Sequence, residues 1–241
     1  MTSESSRVLS HADGRESPAP SRRLPGVRFW AWVAIVAQVV FVAAWLVAGL
    51  WQGSRYSAVT DSISDMYAVG VPHAGFLVVV FTDCGAATIL FALFSVWPAL
   101  RSGGRPARMG SILLALSIAG LGDLLSPAER MACRISDPGC TTALQLSNSG
   151  GKMDSILSTG GGVLLVIAGF LLAAAMRRIP SWRAWARPVR WTSILIFALL
   201  VADALTGGAS GQSGLFERLF AVVAAAALAA LAVGILRRAR P

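Results

Sequence analysis

Phe29–Leu50 reads FWAWVAIVAQVVFVAAWLVAGL, a run without a single charged residue. At 1.5 Å per residue a helix of this run spans the roughly 30 Å of a bilayer's hydrocarbon core. Five further apolar blocks follow, approximately at 74–100, 109–125, 153–176, 191–205 and 215–236, the fifth of the six being the shortest. They are continuously apolar and rich in Ala, Leu and Val, whereas a membrane barrel would show alternating segments of about ten residues. The whole chain agrees, with 55% hydrophobic and 14% charged residues among 241. The expected fold is therefore all-α: a polytopic membrane protein of six transmembrane helices covering residues 29–237.

The cations set the orientation. Arg7, Arg15, Arg22, Arg23 and Arg28 precede the first block, Arg101, Arg105 and Arg108 separate the second from the third, Arg177, Arg178, Arg183, Arg187 and Arg190 separate the fourth from the fifth, and Arg237, Arg238 and Arg240 end the chain. Only Arg55, Arg130, Arg134, Lys152 and Arg218 fall on the other side. The positive-inside rule then puts both termini in the cytoplasm of a multi-pass cell-membrane protein. The net charge of +9 does not point to nucleic acid, because the basic segments are short and lack interleaved aromatic platforms. The partner expected is the lipid bilayer, with a lipid or small molecule as ligand.

Residues 1–28 form a Ser-, Pro- and Arg-rich tail expected to be disordered, and 238–241 a second cytoplasmic tail. The first block exceeds the apolar core of a signal peptide, so an uncleaved helix is expected. Trp30, Trp32, Trp97, Trp182, Trp185 and Trp191 near the cytoplasmic ends, with Trp51 and Tyr56 near the outer end, read as interfacial anchors.

Two outer loops are longer than ordinary helix connections: Trp51–His73 and Ser126–Lys152. In the second, Cys133 and Cys140 flank an Asp137-Pro138-Gly139 turn, which favours a disulfide over free thiols and leaves Cys84 unpaired. Zinc is disfavoured because the only histidines are His11 and His73. No metal or cofactor is expected.

The polar residues that stand out are acidic. Asp83 lies about ten positions into the second block, roughly 14 Å from its outer end, where a carboxylate costs about 2.5–3.5 kcal/mol on insertion scales. It is expected to be a proton or substrate site, or a protonated group bonded to a neighbouring helix. Asp123, Asp154 and Asp203 sit at the outer ends of their blocks, level with Asp61 and Asp65. Each has a plainer reading, Asp154 as a helix-dipole partner and Glu217-Arg218 as a membrane boundary. Together, Asp65, Asp83, Asp123 and Asp154 are expected to share one water-accessible cavity between the second, third and fourth helices, with Lys152 or Arg130 as counter-ion. The run Asp61-Ser62-Ile63-Ser64-Asp65 offers oxygen ligands without EF-hand spacing, and reads more readily as a cap on a short helix.

The DSISDMY run at 61–67, the six blocks, and Ser149-Gly150-Gly151-Lys152-Met153-Asp154 ahead of the fourth block resemble the bacterial and archaeal membrane family called domain of unknown function 998, over about residues 30–237. The resemblance matches an I-S-D-L-like element to Ile63-Ser64-Asp65-Met66. It also matches a G-x-x-H element to Gly151-Lys152-Met153-Asp154, where Asp154 replaces the histidine and with it any imidazole chemistry. The family implies the fold and no activity.

A non-enzymatic binding or scaffold protein with a polar pocket on the extracytoplasmic face is the expected function. The alternative is a small-molecule, lipid or ion transporter, proton-coupled through Asp83, which lacks recognisable broken helices in the sequence. A membrane-embedded hydrolase comes third, for want of a nucleophile and base in the spans. Single cysteines placed after Leu100, Met176 and Leu236 should be protected from an impermeant thiol reagent in intact cells, and cysteines near Arg55 and Ser147 should be labelled. Reversed labelling would overturn the orientation, and mixed labelling the number of spans.

Overall fold

The computed structural model describes residues 25–206 and 212–238; the basic tail expected at 1–28 falls outside them as far as residue 24, as do residues 239–241. The fold is all-helical. Helix α1 runs over Pro25–Ala48, so the first helix opens at Pro25, inside the expected tail. Helix α2 covers Ala74–Gly103, with a π turn at Ala92–Val96. Next come α3, Arg105–Ala115, then α4, Ser149–Arg178, α5, Arg183–Thr206, and α6, Ser213–Arg238. Each packs against the next along the chain, and α6 returns to α1.

Among the described residues, five helices are long and apolar enough to cross a membrane: α1, α2, α4, α5 and α6. Their outward faces carry large apolar side chains such as Val36, Val39, Leu46, Val79, Leu195 and Leu205. A soluble fold would bury these; here they suit a hydrocarbon solvent. The fifth apolar block, the shortest in the sequence, belongs to a full-length helix, because Arg183–Arg190 extend α5 although they are too polar to register as apolar.

The third block departs from expectation. It is a broken helix: α3 stops at Ala115, Ser117 takes an extended backbone (φ −72°, ψ 174°), and a π turn resumes at Ile118–Gly122. Ser117 satisfies part of the break by donating its hydroxyl to Leu114 O at 2.8 Å, while the Gly120 and Gly122 amides donate to Ser117 O. Small residues hold the resumed segment in place. Gly85 of α2 lies against Gly120, Asp123 and Leu124, and Gly161 of α4 lies against the Ile118 backbone. Close approach of this kind is how helices pack where lipid supplies no hydrophobic drive.

The two long loops fold over one end of the helices, which we call the loop end. Ser64–Tyr67 form a 3-10 turn, and across its start the Ser62 amide donates to Asp65 Oδ2 (2.9 Å) and the Asp65 amide to Ser62 Oγ (3.0 Å), the reciprocal pair of a capping box. Cys133 and Cys140 are disulfide-bonded, with Cα atoms 6.0 Å apart, and Cys84 is free and buried, donating to Ala37 O. Trp182 departs from the anchoring role expected of it. It is buried beneath Arg238, whose guanidinium lies 4.1 Å from its ring centroid.

The Gly85 contact predicts a contrast. Gly85→Ala should destabilise the protein by about 1–3 kcal/mol through overpacking against the broken segment. Gly160→Ala, whose added methyl meets nothing within 4 Å, should be neutral or slightly stabilising. Thermal unfolding in detergent distinguishes them, and equal behaviour of the two variants would refute the packing argument.

Candidate functional site

The loop end is tied together by side chains reaching for backbone. Asp65, 3% exposed, accepts from the Ser62 amide and hydroxyl on its own loop, and from the Ile135 amide (3.0 Å) and Gln145 Nε2 (2.7 Å) on the other. Burial raises its carboxyl above the usual range, and the Ile135 and Ser62 amides pull it back down. Asp61, also buried, accepts from the Ser57 amide and Thr60 hydroxyl. Both residues hold the loops.

Two Glu-Arg pairs repeat one arrangement. Arg130 donates to the carbonyls of Tyr67 (2.9 Å) and Ala68 (3.1 Å). Arg218, on α6, donates to the carbonyls of Ala58, Asp61 and Gly214 and to the Tyr56 hydroxyl. Their partners in sequence, Glu129 and Glu217, point instead into a cavity of about 70 Å³ beneath the loops. Glu217 accepts from the Ile63 amide at 2.9 Å. Glu129 is 5% exposed, and its Oε1 has no hydrogen-bond partner.

Asp123 completes the acidic lining, placed there by the resumed segment after the break. Ser64, Tyr67, Ser158 and Gln38 add polar groups, and Phe41, Phe81, Ile118 and Phe220 with a run of alanines on α6 form the apolar wall. The cavity thus opens between α1, α2, the broken segment, α4 and α6, not only the second, third and fourth helices. Burial, then the nearby Asp154 and Asp123, pushes the Glu129 carboxyl from 4.5 up to about 8. Burial first and Asp154 second hold the Tyr67 phenol well above its usual range, with a hydrogen bond from Ser64 acting the other way.

Of the residues singled out in the sequence, Ser64 and Asp123 line this cavity. Asp154 lies behind it, 8% exposed, with Oδ1 unpartnered. Asp203 is half-buried on α5 as an electrostatic neighbour of Glu217. Asp83 is a correction: it is exposed on the outer face of α2, in a groove with Trp32, Val36 and Val40 of α1, on a different face from Asp123. The four-aspartate cavity is therefore not formed. The expected counter-ions are also corrected, since Lys152 is exposed and Arg130 is engaged by carbonyls. Glu129 escaped sequence reading and Glu217 was read only as a membrane boundary, although the recurrence of Glu-Arg at 129–130 and 217–218, each near the end of an apolar block, was a usable signal.

The glycines in the first turn of α4 have a local purpose. A Cβ at Gly150 would strike Arg130 O, and one at Gly151 would strike Gln145 O. The second loop can therefore sit directly on the start of α4, where Asn148 accepts from the Gly151 amide (2.7 Å) and donates to Arg130 O (3.0 Å).

A sequence model of the family described as "Protein of unknown function (DUF998)" matches residues 35–234, which include every residue of the cavity. Comparisons with curated proteins and with solved structures gave no match.

The raised Glu129 carboxyl carries a pH prediction. A folded-state value near 8 against an ordinary 4.5 means that its contribution to stability is complete below about 4.5 and is lost as pH rises through about 8. Glu129→Gln removes that dependence, so between pH 5 and 8.5 its unfolding temperature should gain about 3 °C or more on the native protein, equivalent to about 1 kcal/mol in a chain of this size. Parallel curves over that range would show that Glu129 ionises normally.

Proposed function

Because the chain belongs to the family of proteins of unknown function called DUF998, whose description names no activity, we propose its function from the cavity itself. The protein is an integral membrane binding protein that takes up a small polar solute in a cavity open toward the extracytoplasmic side. Its six crossings, the third of them broken, leave both termini in the cytoplasm. The partition of the cations supports that orientation, and it sets the loop end outside.

Glu129 carries the reading. A buried acceptor left without a partner costs about 1–3 kcal/mol. Asp65, a few residues away in the fold, shows that these loops can satisfy a carboxylate with four donors. An unpartnered oxygen of Glu129, facing two further carboxylates, is what a ligand-binding acceptor requires and what a structural residue avoids. The lining favours binding over catalysis, since among the described residues its hydroxyls have no histidine or lysine beside them to act as base.

A second reading, transport, is favoured by one observation: the break at Ser117 lies in the helix that carries Ile118, Ala119, Gly122 and Asp123 to the cavity wall. Discontinuous helices bordering a binding site are a recurrent feature of secondary transporters. Asp83, outside the cavity, has no part in this route.

Native mass spectrometry of the protein released from its membranes in mild detergent tests the binding reading. The native protein should retain a small molecule, and Ala225→Phe, which fills the cavity from α6, should lose it. Equal spectra for the two, or a bare native protein, would count against it.

A further inference from the structure

Resting on that reading, the geometry points to a primary ammonium as the group this cavity takes, carried by a free amine of two or three carbons or presented by an ethanolamine headgroup. Among the described residues, the lining holds three carboxylates and no Lys or Arg. Arg218, next to Glu217 in the chain, turns its terminal nitrogens to three carbonyls and a phenol, keeps its Nε unpartnered, and lies outside the lining. An anion would oppose ionisation of these carboxyls and a neutral solute would offer them no counter-charge, whereas a cation would draw the Glu129 carboxyl, held up at about 8 by burial, into its ionised form.

The donor arrangement then separates the kinds of cation. A metal ion gathers several oxygens at about 2.0–2.6 Å. Among the described residues no three His, Cys, Asp or Glu side chains are spaced to hold one, and the carboxylates are spread around the wall on the second loop, the broken segment and α6. A quaternary ammonium could lie against Phe41, Tyr67 and Phe81, but it has no N–H for Glu129 Oε1, a buried acceptor of the lining that lacks a donor. A primary ammonium has three N–H donors to distribute among separated acceptors. The apolar wall of Phe81, Ile118 and Phe220 accepts its methylenes. A volume of about 70 Å³ is roughly half that of the ~150 Å³ engineered cavity that admits benzene, which limits the ligand to two or three carbons.

The test uses the full chain in nanodiscs. In phosphatidylcholine discs, added ethanolamine should raise the unfolding temperature in a saturable way, whereas tetramethylammonium, ethylene glycol and acetate should not. In a separate arm without free amine, phosphatidylethanolamine discs should reproduce the effect only if the headgroup is the source. Glu129→Gln should weaken the response tenfold or more, Ala225→Phe should abolish it, and Asp83→Asn, which removes a membrane-level charge outside the cavity, should leave it unchanged. A saturable response to the quaternary or neutral solute in place of the primary amine would overturn the ligand class and leave the binding reading standing. No response to any solute in either disc, with native protein and Ala225→Phe indistinguishable, would overturn both.

Discussion

The loop end depends on the four hydrogen bonds to Asp65. A carboxylate 3% exposed is costly unless donors surround it, and here they come from two loops about 70 residues apart in sequence, through Ser62, Ile135 and Gln145. The bond that lowers the cost of the charge also fixes the loops to each other. Further ties follow the same rule of satisfying backbone with side chains: Arg134 donates to Gln52 O, and Arg130 to Tyr67 and Ala68. The disulfide at Cys133 and Cys140 closes the outer turn of the second loop and leaves this work to hydrogen bonds.

With the loops fixed, the two Glu-Arg pairs can be divided between structure and site. Each arginine turns to carbonyl oxygens, which are fixed dipoles and need no counter-ion of their own. Each glutamate is left facing inward. Had the arginines paired with the glutamates, the cavity would be lined by neutral ion pairs and would have little reason to bind a charged solute.

The broken helix serves the same site from the membrane side. A straight α-helix through Ser117 would turn Asp123 with the helical period; the extended residue resets that period and brings Ile118, Ala119, Gly122 and Asp123 onto one wall. Such a break is tolerated in hydrocarbon only where protein covers it, and Gly85 and Gly161 allow two neighbouring helices to approach closely enough to do so. Asp83 shows the other limit. It lies exposed at about 2.5–3.5 kcal/mol on insertion scales, a cost that the apolar remainder of α2 offsets.

The sequence by itself determined that the fold is all-helical, the reciprocal bonds of Ser62 and Asp65 and the cysteine pair, because each depends on neighbours within a few residues or on the hydropathy of one segment. Height along a helix was legible for the same reason: at a fixed rise per residue, position in a block gives height, so Asp123 and Asp154 could be placed at one level. Which carboxylates share that cavity was decided by tertiary structure. Height says nothing of direction around the helix axis, and so Asp83 was grouped with residues from which it faces away. A place in the cavity for the loop residue Glu129 and the boundary residue Glu217 was not legible, because their positions depend on which carbonyls their arginine neighbours reach, some 60 to 160 residues away. The break at Ser117 stayed hidden because every residue around it is apolar or small, and only the close packing of two glycines makes an interrupted helix the stable one.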